Sequence, residues 1–246
     1  SIAFLPMHGC SRGELSRQGW FRPYRCGDLD GPARSSLKGT MTDSRQRRVL
    51  LEWRRKGGDP PELRIVGIDD GPFDKSRPRA NVKVVGAIYR GGQYLDGMVS
   101  TTIRRDGRNS TDKLIRMLCD SRYHPQLHYI VLDGIALGGF NVVDIHRLWQ
   151  ETSLPVLVVV RHEPDMVKVK RALSNLPGWK ARWALIERAG NVEPSNGVFV
   201  QRAGLDSEEA EALLALSCTR AKIPEPLRAA HIIAGAWVTG EGGRRP

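Results

Sequence analysis

Two short apolar runs in this chain end in carboxylates. VGIDDG closes on Asp69 and Asp70, and YIVLDG closes on Asp133. Aspartate is depleted in strands and is seldom buried without a partner. Carboxylates gathered at one place repel each other unless a hard cation lies between them. Mg²⁺ or Mn²⁺ suits a pair of carboxylates completed by water and substrate phosphate. Such a centre activates water and stabilises the charge of a phosphodiester displacement. A plainer reading fits the same residues. Asp-Gly after a strand is a turn signal, and both Asp70-Gly71 and Asp133-Gly134 match it. The spacing alone leaves both readings open.

Other residues with chemical potential are more ambiguous. Arg161 and His162 follow the apolar run LPVLVVV, where an arginine can meet phosphate or simply end a strand in water. GGFN at 138–141 matches no phosphate-cradling fingerprint, so its glycines point to a tight turn or a close backbone approach. Asn141 is placed to cap a helix, which puts Asp144 in its first turn. Negative charge is favourable there for structural reasons alone. His231 sits in a helical stretch with apolar neighbours, the usual setting of a packed, hydrogen-bonded histidine. The six tryptophans are scattered along the chain, so no stacking platform for single strands is evident.

These residues need a scaffold, and the apolar periodicity supplies one. Strands are expected over 63–70, 81–90 and 94–105. Gly91-Gly92-Gln93 joins the last two as a hairpin, so the first three strands form a meander. A helix follows over 110–123 with Leu114, Ile115, Leu118 and Cys119 on one face and Ser110 or Thr111 as its cap. Then come the strand LHYIVLD, a helix across NVVDIHRLWQETS, the strand at 154–161 and a helix at about 164–175. VFVQRA is a further strand, SEEAEALLALSCTR a helix, and IPEPLRAAHIIAGAW a final helix with Pro224 and Pro226 in its first turn. A meander followed by alternating helices and strands implies an α/β fold with a mixed sheet flanked by helices. Sites in such sheets form beyond the carboxyl ends of parallel strands, where Asp69, Asp70 and Asp133 fall.

Composition narrows the class. The 246 residues carry a net charge of +11. Residues 1–61 hold 12 Lys/Arg against 6 Asp/Glu, so over half the excess sits in the first quarter. A basic excess favours DNA or RNA as a partner, or marks a solvated tail. Residues 1–40 show no sustained period, and 1–61 read as a basic, loosely ordered extension ahead of a domain at 62–246. MTDSRQRRVL from Met41 reads like a native start, and 45–56 like a short basic helix. No apolar run approaches the length of a membrane span, and the first residues make a poor signal peptide. Cys10, Cys26, Cys119 and Cys218 form no C-x-x-C pair, which suits reduced thiols in a cytoplasmic protein.

Four segments carry a family resemblance: IVGIDDGPF, IVLDGIALGGFNVVDIHRL, LPVLVVVRHEPD and KIPEPLRAAHIIAG. Together they resemble an uncharacterised, mainly archaeal domain-of-unknown-function family related to endonuclease V, with an RNase H-like fold. The resemblance spans about residues 62–243. It implies metal-dependent cleavage of a phosphodiester, with Mg²⁺ or Mn²⁺ as cofactor. It matches Asp69 to the first-strand aspartate of endonuclease V and Asp133-Gly134 to its strand-end Asp-Gly. Arg161 stands where that enzyme has a lysine, and His231 at the histidine or aspartate ending its I-P-E-P segment. Asp70 is a further candidate ligand. Two elements of endonuclease V have no clear counterpart. Its glutamate ahead of the first helix is missing, and so is its strand-separating Tyr-Ile-Pro-Gly element. The resemblance therefore does not extend to inosine-directed cutting. Asn109 stands where the uncharacterised relatives usually carry an acid, with Asp106 or Asp112 as substitutes. The leading expectation is a metal-dependent nucleic-acid phosphodiesterase. The alternatives are a nucleic-acid-binding module with weakened or lost catalysis, and a nucleotide-binding protein.

Overall fold

The computed structural model describes residues 39–74, 76, 77 and 80–243. Chain order runs α1 (Gly39–Lys56), β1 (Arg64–Asp70), β2 (Asn81–Arg90), β3 (Tyr94–Arg104) and α2 (Ser110–Cys119). It continues with β4 (Leu127–Asp133), β5 (Ala136–Leu137), β6 (Asn141–Val142), α3 (Ile145–Thr152) and β7 (Val156–Val160). The last elements are α4 (Met166–Ser174), α5 (Trp179–Arg188), β8 (Glu193–Ser195), β9 (Val198–Ala203), α6 (Ser207–Ser217) and α7 (Glu225–Thr239).

Seven strands make one sheet in the order β3-β2-β1-β4-β7-β9-β8. β1, β2 and β3 are antiparallel neighbours, while β4 runs parallel to β1 and β7 parallel to β4. β9 returns antiparallel to β7. A meander leading into parallel strands is the RNase H-like arrangement, so the expected α/β class holds. No helix among the described residues is long and apolar enough to cross a membrane.

Strand alternation divides the core into two layers. Val66 and Ile68 of β1 and Ile130 and Leu132 of β4 pack with Leu114, Leu118 and Leu148 from α2 and α3. Ile65 of β1 and Tyr129 and Val131 of β4 face the other way, onto Leu50 of α1, Leu213 of α6 and Leu227 of α7. Tyr129 Oη donates to the buried Glu209 Oε1 at 2.7 Å and so ties this layer to α6. The proposed head over 1–61 therefore includes a docked helix; its residues 1–38 lie outside the described residues.

Several expectations about element ends need correction. Ser110 and Thr111 do not cap α2, because Asn109 occupies the cap position. Both hydroxyls instead hold the next chain segment: Ser110 Oγ donates to the Val142 carbonyl, and Thr111 Oγ1 accepts from the Asp144 amide. Asn141 does not cap α3 either. Asn141-Val142 is extended as β6, and Asp144 is the cap, accepting from the Arg147 amide at 3.1 Å. β5, β6, α5 and β8 are additional to the expected elements.

Candidate active site

The alternation that builds the core also sorts the acids. Asp69 follows Ile68 on β1, and Asp133 follows Leu132 on β4; Ile68 and Leu132 are register partners. Both aspartates thus end neighbouring parallel strands and share the face with Ile65, Tyr129 and Val131, the face that α7 covers. α7 comes close because residue 67 is glycine. A Cβ there would lie 2.3 Å from the Pro226 carbonyl carbon. This approach sets His231, one turn further along α7, against Asp69, with Nδ1 2.8 Å from Oδ2.

Asp69, Asp133 and His231 each offer a ligand atom, and these atoms lie within 4.8 Å of one another. Asp69 is 6% exposed. Its Oδ1 accepts from the Asp70 amide at 2.8 Å, so both of its oxygens have partners. Burial, followed by the Asp69 carboxylate, pushes the Asp133 carboxyl up to about 6; Arg161 and His231 pull it back. Arg161 lies just past β7, the next strand over, and its charge acts on Asp133. His162 is exposed beside it and has no role in this geometry.

Asp70 falls on the opposite face of β1 and outside that group of three. Its carboxyl is pushed up to about 7 by burial and then by Asp69, with Asp133 adding to the effect. The nearby Gly138 backbone amide partly offsets the rise. Here the glycine pair has a definite purpose. Gly138 and Gly139 have φ values of 57° and 87° and turn the β5–β6 hairpin so that backbone meets Asp70. The apolar residues around GGFN were the available signal for that hairpin.

The substitute acids are engaged elsewhere. Asp106 accepts from the Phe140 amide at 2.9 Å and pairs with Arg105 at 3.1 Å. Asp112 pairs with Arg147 at 2.8 Å, and Asp144, besides capping α3, pairs with Arg188. Asn109 Oδ1 accepts from the Arg104 amide at 3.2 Å and from Asn141 Nδ2 at 2.9 Å. Asn141 is fully buried, and its Oδ1 accepts from the Ser110 amide at 3.0 Å. Asn109 and Asn141 form a lock between the β3–α2 loop and β6.

Fold and cluster define an α/β protein with an acidic centre at the carboxyl ends of its parallel strands, chemically suited to a divalent cation. The family described as endonuclease dU matches residues 61–238, and the chain belongs to it. The UPF0215 protein of Methanothermobacter thermautotrophicus is 50% identical over 184 residues, 73% of this chain and 90% of its own. A crystal structure of a protein of unknown function from Archaeoglobus fulgidus superposes with a TM-score of 0.67 at 40% identity, covering 72% of this chain and 98% of that one. Human endonuclease V gives a TM-score of 0.44 at 16% identity over 78% of this chain and 95% of its own, a likeness too remote to bear on function.

Proposed function

We propose that this chain is a divalent-metal-dependent nucleic-acid phosphodiesterase of the endonuclease type. The observation that carries the reading is the convergence of Asp69, Asp133 and His231 within 4.8 Å. Like charges at that spacing are costly, and a cation is the simplest balance for them. In this reading Asp69 and Asp133 hold Mg²⁺ or Mn²⁺, and His231 completes the donor set while orienting Asp69. A bound ion supplies an activated water and neutralises charge developing on the phosphate. Asp70 adds negative field from the far face of β1, and Arg161 steadies the phosphate.

The family's name points to deoxyuridine as the first base to test. Labelled single-stranded and duplex DNA and RNA, with and without deoxyuridine or inosine, are incubated with the protein and Mg²⁺ or Mn²⁺. The expected result is cleavage that EDTA stops. Asp133→Ala is expected to abolish it, by a factor of roughly 10² or more. Cleavage that survives this substitution would sink the assignment.

One observation favours a second reading, a nucleic-acid-binding module with weakened catalysis. Asn109 is neutral and hydrogen-bonded into the Asn141 lock, so it adds no charge to the centre. Salt-sensitive binding without cleavage under all these conditions supports that module.

A further inference from the structure

We propose that the hairpin of α4 and α5 is the track that holds single-stranded nucleic acid against the candidate active site. The proposal rests on the nuclease reading above for its destination. Residues 166–188 contain six Lys/Arg and one acid, Glu187, a net of +5 in a chain whose total is +11. Nearly half of the protein's excess charge therefore sits on one small hairpin.

Part of that charge is internal. Arg182 is buried and donates to the carbonyls of Pro177 and Asp106, Arg188 pairs with Asp144, and Lys168 pairs with Asp165. Lys170, Arg171 and Lys180 are exposed and make no ion pair among the described residues. Lys170 and Arg171 rim a groove of about 490 Å³ that is floored by Met166, Val167, Trp179 and Trp183. Val167 is 79% exposed. Trp179 and Trp183, four residues apart on α5, share this groove, and Lys170 Nζ stands 4.7 Å from the Trp183 ring centroid. Two of the six tryptophans thus form a pair in space.

An aromatic and apolar floor with a cationic rim fits one ligand class. Bases stack on rings irrespective of sequence, and phosphates meet the cations. A duplex hides its base faces and leaves the floor unused. A purely apolar partner leaves the cations unbalanced. Position supports the same occupant. α4 starts five residues after Arg161, and Ile135 and Ala136, adjacent to Asp133-Gly134, pack in the same cluster as Leu173 of α4 and Ile186 of α5. The hairpin is thus packed against the segment that follows Asp133.

The test measures binding in EDTA, where chemistry is silent. A fluorescein-labelled oligothymidylate of about 15 nucleotides, close to the upper site size of single-strand binders, is titrated with the full chain by anisotropy. A duplex of equal length runs in parallel, and salt is varied. The single strand is expected to bind more tightly than the duplex and to quench tryptophan fluorescence. Lys170→Glu combined with Arg171→Glu is expected to weaken binding at least about tenfold and to flatten the salt slope by about 1.4. Trp183→Ala is expected to cost about tenfold. The two charge reversals lie at solvated positions and keep the test decisive where Trp183→Ala loses the fold. Equal affinity for wild type and the charge-reversed protein overturns the track, as does duplex binding as tight as single-strand binding, or no binding of either. Failure of the nuclease reading looks different: the oligonucleotide binds, the variants weaken it, and no metal produces cleavage.

Discussion

Asp70 and Asp133 are the residues whose ordinary chemistry the fold changes most. Both carboxyls are pushed up, to about 7 and about 6, chiefly by burial and then by Asp69. A raised folded-state value means that the native protein holds these protons more tightly than the unfolded chain does. The ionisation penalty is absent at pH values below the unfolded carboxylate range. It grows as pH rises through that range and is fully present above about pH 7. Metal-free protein is therefore expected to lose stability from about pH 4 to about pH 7 through these two groups. On the proposed function Mg²⁺ competes with the protons, so its stabilisation should be large at about pH 8 and small at about pH 5. Asp70→Asn removes one penalty and should stabilise the metal-free protein by about 1 kcal/mol or more, and by more at about pH 8 than at about pH 5. Thermal melts in EDTA and in Mg²⁺ at both pH values check this; equal metal stabilisation at both sinks it. Asn109 gives a second prediction at this scale. An aspartate can keep both hydrogen bonds that Asn109 Oδ1 accepts, so Asn109→Asp should fold. The same bonds turn the carboxylate toward Arg104 and Asn141. Cleavage should thus stay within about threefold of wild type, and a large gain in activity would show that residue 109 reaches the metal.

At the scale of elements, the centre exists because α7 lies almost in contact with β1. Gly67 permits that approach, since a side chain there meets the Pro226 and Leu227 backbone, which cannot move aside as a flexible side chain can. Gly67→Ala should cost about 3 kcal/mol in urea denaturation and draw His231 away from Asp69, weakening metal binding as well. A variant with unaltered stability and metal affinity contradicts this account. The same contact explains what the sequence could and could not reveal. The strand ends at Asp69 and Asp133 were legible because uninterrupted apolar runs stop at Asp-Gly. That the two acids share a face needs only period-two alternation once β1 and β4 are neighbours. His231 looked like core filler from its own neighbours. Only the family resemblance marked it, because its partner lies on a strand far away in sequence. α5 was hidden for another reason. Of its residues only Arg182 and Ile186 are buried, so it has no apolar stripe to read. β8 is a short edge strand containing Pro194, a residue that argues against a strand in sequence and is tolerated at an edge.

At the scale of the molecule, the family match begins at residue 61, but the folded body begins earlier. α1 inserts Leu50, fully buried, into the layer shared by Ile65, Tyr129 and Leu213. Arg47 pairs with Asp206 and lies 3.6 Å from the buried Glu209, the same carboxylate that Tyr129 holds. A chain starting at residue 61 keeps β1, β4 and α7, and with them the whole carboxylate–histidine centre. It loses the leucine that covers α6 and the cation beside Glu209. On the proposed function, such a chain is expected to match the full chain in cleavage per folded molecule while losing about 2–5 kcal/mol of stability, the range for emptying a large aliphatic site in a core. Leu50→Ala in the full chain should reproduce most of that loss, whereas Arg47→Ala, acting at an exposed pair, should cost about 1 kcal/mol or less. Urea denaturation of the three proteins, read beside their activity at low temperature, separates stability from chemistry. If the chain from residue 61 is as stable as the full one, α1 is an appendage rather than a part of the core.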